Sequence, residues 1–224
     1  ARVEEISQAL ALDELCAYYV VMKRRALKRR KQQALALPQK DGLGRTLRDN
    51  LAFQLTDAQR RVIRETLVDL ENHVPMLRLL QGDVGSGKTI VAAFAAIRAI
   101  EHGCQTAVMA PTELLAEQHQ LNFQQWLAPL GIEVALLTGQ MTAKNQRETL
   151  ARIASGEVQV IIGTHALFQD KVVFHKLALA IIDEQHRFGV HQRMALQNKG
   201  TYPHQLVMTA TPIPRTLTMT LYAD

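Results

Sequence analysis

"MLRLLQGDVGSGKTIVAAFAAIRAIEHG", residues 76–103, holds the transition on which the fold turns. The apolar run 76–81 has the length of one strand and runs straight into glycines. From residue 88 to 101 the chain is rich in Ala and Ile, reads as helix, and closes at Gly103. The turn between them, "GDVGSGKT" (82–89), fits G-x-x-x-x-G-K-[ST] with no mismatch. Glycines let a backbone wrap closely around phosphate oxygens, and the amides of that wrap together with the helix N-terminus attract anions. Gly82, Asp83, Val84, Gly85, Ser86 and Gly87 form the wrap. Lys88 is placed to reach β- and γ-phosphates, and the Thr89 hydroxyl to ligate Mg²⁺.

The same alternation continues outward from this unit. Residues 106–110, 134–138, 158–163, 177–182 and 205–209 read as strands; 112–127 and 143–155 read as helices, the second ending at Gly156. Short apolar strands alternating with helices predict an α/β fold, a parallel sheet covered on both faces. Ligands in such sheets sit at the carboxyl ends of the strands. The phosphate loop alone leaves its purpose open, since small-molecule kinases, transporter ATPases and helicases all carry one.

The stretch "LALAIIDEQH" (177–186) narrows the choice. A nucleoside triphosphatase needs a second strand ending in acid: one carboxylate for Mg²⁺, another to polarise water. Asp183 fits the first role and Glu184 the second. A kinase has little use for Glu184, because its nucleophile arrives on the substrate, so the pair favours hydrolysis. Asp183, His186 and His191 do not follow a zinc spacing. His186 either couples nucleotide state to another site or packs at the sheet edge.

Charge is unevenly distributed. Residues 1–50 carry 11 Lys and Arg against 6 Asp and Glu; the rest of the chain carries 15 of each. Most of the excess lies in "KRRALKRRK" (23–31), which suits either a phosphate contact or a solvated helix. Residues 5–33 read as helix, and "LPQKDGLGR" (37–45) as a connector, which places a boundary near residue 50. Cys16 and Cys104 match no metal or disulfide spacing and read as reduced thiols. No signal-peptide pattern opens the chain and no 18-residue apolar run exists, so no membrane partner is expected. The chain reads as a piece of something longer.

"GDVGSGKT", "DEQH" and "MTATPIPRT" (208–216) together resemble motifs I, II and III of superfamily-two helicases. "FQLTDAQ" (53–59) resembles the adenine-recognising segment, and "APTELLAEQH" (110–119), "LLTGQM" (136–141) and "IIGTHALFQ" (161–169) the nucleic-acid motifs. Within that superfamily the likeness is to the bacterial translocases that remodel branched DNA, over about residues 50–224. The resemblance implies a RecA-like first motor lobe over 51–224, behind a basic helical linker, 1–50, from an N-terminal wedge domain. It implies ATP with Mg²⁺ as cofactors. It implies branched double-stranded DNA (forks and Holliday junctions) as partner in recombination and repair, at the bacterial nucleoid in the cytoplasm. Gln59 would meet the adenine edge, with Phe53 packed nearby. His186, Thr209 and Thr211 would couple the γ-phosphate to DNA grip. Thr112, Thr138, Thr164 and His165 would face the nucleic-acid backbone, although each threonine also suits a plain helix cap. A second motor lobe, source of arginine fingers, and the wedge domain would belong to the same full-length chain. Transcription–repair coupling and replication-restart translocases share "TATPIPRT"-like segments and are the neighbouring alternatives. Taken alone, the 224 residues are expected to be an ATP-binding module with negligible turnover.

Overall fold

The computed structural model describes residues 32–40, 42–183 and 202–210. The basic run 23–31 therefore lies outside the described residues, as do Glu184, Gln185, His186 and Thr211. Of the helix expected over 5–33, only residues 32 and 33 are described, and they are not helical.

The described elements are, in chain order, α1 (Leu43–Asn50), α2 (Asp57–Leu70), β1 (Leu77–Gln81), α3 (Lys88–Glu101), β2 (Gln105–Met109) and α4 (Glu113–Leu127). They continue with β3 (Val134–Leu137), α5 (Ala143–Ser155), β4 (Val160–Gly163), β5 (Leu177–Asp183) and β6 (His204–Thr209). All strands lie parallel in one six-stranded sheet of order β1-β6-β5-β2-β4-β3. The expected α/β architecture is thus present, with the strands within two residues of their predicted ends.

Two apolar layers cover the sheet, and the pleat sorts residues between them. In β2, β4 and β5 one set (Val108, Val160, Ile162, Leu179, Ile181) faces the layer that includes α3. The alternating set (Ala107, Met109, Ile161, Ala180, Ile182) faces the layer that includes Ile153 of α5. Period-two alternation with both faces apolar is what a sheet buried on both sides demands. The helix α3 is buried from Ile90 to Ala99 on nearly every side. Its alanines let the helix axis approach the sheet closely while adding little side-chain entropy cost.

Local chemistry sets the helix ends. Thr56 and Gln59 form a capping box at the start of α2. Thr112 and Thr142 each accept an amide in the first turn of the helix that follows, and Gly156 ends α5 in the left-handed region.

The stretch read as a connector has no helix or strand over 37–40, as expected, but it is docked on the core. Helix α1 begins inside it, and Leu37 and Leu47 are fully buried in the same core as α3. Residues 34–40 form a strap across the lobe. Its amides at Ala34 and Leu37 donate to His73 O and Leu70 O at 2.7 and 2.9 Å. Its carbonyls take side-chain partners: Leu35 O from His204, Leu37 O from the buried Arg98, and Pro38 O from His102. Lys40 Nζ donates to Glu101 O. The buried His204 also accepts the Met76 amide on Nδ1, so its Nε2 carries the proton given to Leu35 O. Buried Gln105 serves the sheet's opposite flank: its amide donates to Ile153 O and Val158 O and accepts from the amides of His175 and Lys176. Cys104 is a buried free thiol whose pKa burial pushes up.

Candidate functional site

The phosphate loop occupies the carboxyl end of β1, and Gly87 starts α3 from the left-handed region at φ 82°. Gly85 is also left-handed, at φ 80°. At Gly82 an added Cβ would fall 2.7 Å from Ser86 Oγ, and at Gly87 it would strike Gln59 Nε2. A side chain at Gly82 would displace Ser86 of the same loop, and one at Gly87 would displace the end of the Gln59 side chain. Lys88 curls into the loop, its Nζ donating to Gly82 O at 2.6 Å and Asp83 O at 2.8 Å. Val84 at the loop tip is almost fully exposed. An ammonium held in a glycine-rich turn just ahead of a helix N-terminus suits the oxygens of a triphosphate.

Gln59 is joined to this loop directly. Its Oε1 accepts the Thr56 amide at 2.9 Å and its Nε2 donates to Ser86 O at 3.0 Å. Each end of the amide keeps one further hydrogen-bonding position, enough for a base edge. Beside α2 a cavity of about 550 Å³ is lined by Arg48, Leu51, Ala52, Phe53, Gln54, Leu55 and Arg60. Phe53 is 46% exposed, so its ring is available to a flat ligand. Arg48 and Arg60 were not singled out from sequence, because nothing in their spacing distinguishes them from other surface arginines.

The sheet order places the remaining candidates for the nucleotide side. Strand β6 lies next to β1, with Gln81 opposite Thr209, and β5 lies next to β6, with Asp183 opposite Met208. Gly82 N donates to Thr209 O at 3.2 Å, which ties the loop's first residue to the end of β6. Thr89, in the first turn of α3, is half-buried. The loop, Thr209 and Asp183 thus stand at the ends of three consecutive strands. Among the described residues no group of three or more His, Cys, Asp or Glu could hold a metal alone. One carboxylate and one hydroxyl beside a phosphate cradle fit Mg²⁺ carried in with a nucleotide, since that ion keeps waters and takes few protein ligands.

Thr112, Thr138, Thr164 and His165 follow the strands of the other half, β2, β3 and β4. Thr112 is exposed and caps α4, its Oγ1 accepting the Leu115 amide at 3.3 Å. Thr138 is buried, so Gly139 and Gln140, both exposed, carry the accessible backbone there. Thr164 precedes a short 3₁₀ turn (His165–Phe168) without capping it. Nucleotide-side and nucleic-acid-side candidates therefore occupy separate halves of one sheet edge.

A residue that sequence reasoning missed joins the halves. His119, on α4, places Nε2 2.7 Å from Asp183 Oδ2. Both side chains are shielded, 9% and 14% exposed. A carboxylate oxygen accepts, so Nε2 is the donor. His119 Nδ1 is buried and meets no hydrogen-bond partner among the described residues. The quoted stretch "APTELLAEQH" ends on this histidine, but its contact spans 64 residues and has no periodic signal.

Comparison with known proteins follows the same lines. The sequence profile described as DEAD/DEAH box helicase matches residues 56–220. The ATP-dependent DNA helicase RecG of Escherichia coli (strain K12) is 57% identical over 219 residues, 96% of this chain and 32% of that protein. RecG of Haemophilus influenzae is 53% identical over 221 residues, 97% of this chain and again 32% of the relative. The chain thus spans about a third of the length of the curated relatives it matches. Among solved structures, RecG bound to a three-way DNA junction superposes with a TM-score of 0.84 at 41% identity, covering 99% of this chain and 30% of that one. A hypothetical ATP-dependent RNA helicase from Sulfolobus tokodaii shares the fold at TM-score 0.60 and 18% identity.

Proposed function

From the premise that the chain belongs to the DEAD/DEAH box helicase family, we propose that it is the first motor lobe of an ATP-dependent translocase that remodels branched DNA. The observation that carries the reading is the row of phosphate loop, Thr209 and Asp183 on three adjacent strand ends. The names of the RecG relatives and the junction-bound RecG structure supply the DNA substrate class.

In this reading Lys88, Thr89 and the amides of 82–89 hold the triphosphate, while Asp183 and Thr89 hold its Mg²⁺. Bound Mg²⁺-ATP supplies the phosphoanhydride bond whose hydrolysis drives movement. Phe53 packs on the adenine and Gln59 meets its edge while gripping Ser86. Glu184 takes a proton from the attacking water. Thr209, with its backbone already on Gly82, relays the state of the loop along β6, with His186 and Thr211 as its partners. Thr112, Thr164, His165 and the backbone around Thr138 face the DNA strand, where backbone amides and hydroxyls suit phosphates. The division at residue 50 is one of sequence: a basic linker from a wedge domain runs up to it, with its last part docked on the lobe. A second motor lobe of the full-length chain completes the ATP site. Fork reversal and junction migration in repair and recombination, at the bacterial nucleoid, are the setting this implies. No helix among the described residues is long and apolar enough to cross a membrane.

The test is the ATPase rate of the full-length protein on forked, linear duplex and single-stranded DNA, compared side by side. Forked DNA is expected to stimulate most; equal rates on all three would reject branch specificity. Glu184→Gln is expected to retain nucleotide binding and lose turnover by at least about a hundredfold, the scale of a lost general base. Unchanged turnover would remove Glu184 from the role.

A further inference from the structure

We infer that His119 is the positioning residue for the Asp183 carboxylate, and that through it helix α4 holds the metal-binding side of the site in place. The inference rests on the nucleotide reading of Asp183 given above.

Three observations converge. His119 Nε2 lies 2.7 Å from Asp183 Oδ2. The pair is shielded from water, so the bond is not diluted by solvent competition. The contact also crosses the seam of the sheet. Asp183 ends β5, and α4 follows β2, the neighbouring strand that begins the other half.

The geometry has a chemical consequence. A carboxylate on a strand end can rotate about its terminal torsion, which is broad and nearly two-fold. With Oδ2 held by the imidazole, rotation is restricted and Oδ1 is the oxygen left to face the metal and its waters. Outer-sphere partners of this kind orient metal-binding carboxylates, and their loss typically weakens metal affinity about 10- to 100-fold. Aimed at a carboxylate, the His119 ring fixes one oxygen in a defined place.

The experiment is a titration of the full-length protein with a fluorescent, non-hydrolysable ATP analogue, with and without Mg²⁺. His119→Leu keeps the volume and removes the donor. His119→Gln offers an amide N–H at similar reach. Wild type is expected to bind more tightly with Mg²⁺. His119→Leu should lose about tenfold of that metal-dependent gain while binding the metal-free analogue as before, and His119→Gln should recover most of it. Equal Mg²⁺ gains in all three proteins would overturn the proposal. So would a parallel loss of metal-free and metal-bound affinity in His119→Leu with no recovery in His119→Gln, because that pattern marks packing alone. If wild type itself shows no Mg²⁺ gain, the reading of Asp183 as the metal carboxylate fails first, and the inference falls with it.

Discussion

Gly87 shows how much one residue can decide. Its φ of 82° opens α3 from a backbone region that costs an L-residue about 1–2 kcal/mol. Its missing Cβ also leaves room for Gln59, which reaches past it to Ser86 O. Gly87→Ala is therefore expected to leave the lobe folded with only a modest loss of thermal stability. Nucleotide affinity should fall by about tenfold or more, since the strain and the displaced Gln59 both act on the cradle. A melt and a nucleotide titration on the same variant separate the two effects. An affinity equal to wild type would show that the loop tolerates a side chain there. The strand–loop–helix geometry around Gly82 to Thr89 was legible from sequence because motif and geometry share one short stretch. His119 was not, because its meaning comes from a partner 64 residues away on a different element.

At the scale of elements, the alternation of strands and helices was readable from β1 to β6 because every strand is a short apolar run, and β2, β4 and β5 carry an apolar series on each face. The burial of the strap and the start of α1 were not legible for a physical reason. Pro38, Gly42 and Gly44 are turn-formers, and composition alone cannot reveal that Leu37 sits at 0% exposure among residues far along the chain. The amide bonds to His73 O and Leu70 O and the carbonyl partners supplied by His204, Arg98 and His102 satisfy the strap's backbone where it is buried. His204 gives the strap a pH dependence. Burial holds its pKa below the ordinary histidine value, opposed by the bond to Leu35 O and the charge of Asp69. The unfolded chain then takes up a proton first. The stabilisation is complete above about pH 6.5 and is lost as pH falls from there through the lowered folded value. The gap in melting temperature between wild type and His204→Leu should therefore narrow between pH 7.5 and 5.5. A constant gap would mean that protonation of His204 is irrelevant to the fold.

At the scale of the whole lobe, the strap belongs to the core although it precedes the alternating pattern. Leu37→Ala is expected to destabilise the lobe by about 3 kcal/mol, the range for emptying a fully buried leucine site. Leu35→Ala, at a position 37% exposed, should change little. Denaturant melts of the two variants test this, and equal effects would show that the strap's burial carries no stability. The division of the strand ends into a loop-bearing half and a threonine-bearing half is also a whole-molecule property. It follows from the order β1-β6-β5-β2-β4-β3, which no single segment displays.

The strap has one mechanical consequence. Its bonds are spread along residues 34–40 and reach α2, α3, β6 and the loops beside them. Tension applied along the strap loads these bonds together, in shear, whereas a pull away from the surface would break them one after another. Forced opening is governed by the unfolding barrier rather than by equilibrium stability. In an optical-trap measurement the strap is expected to yield at higher force when drawn lengthwise than when peeled.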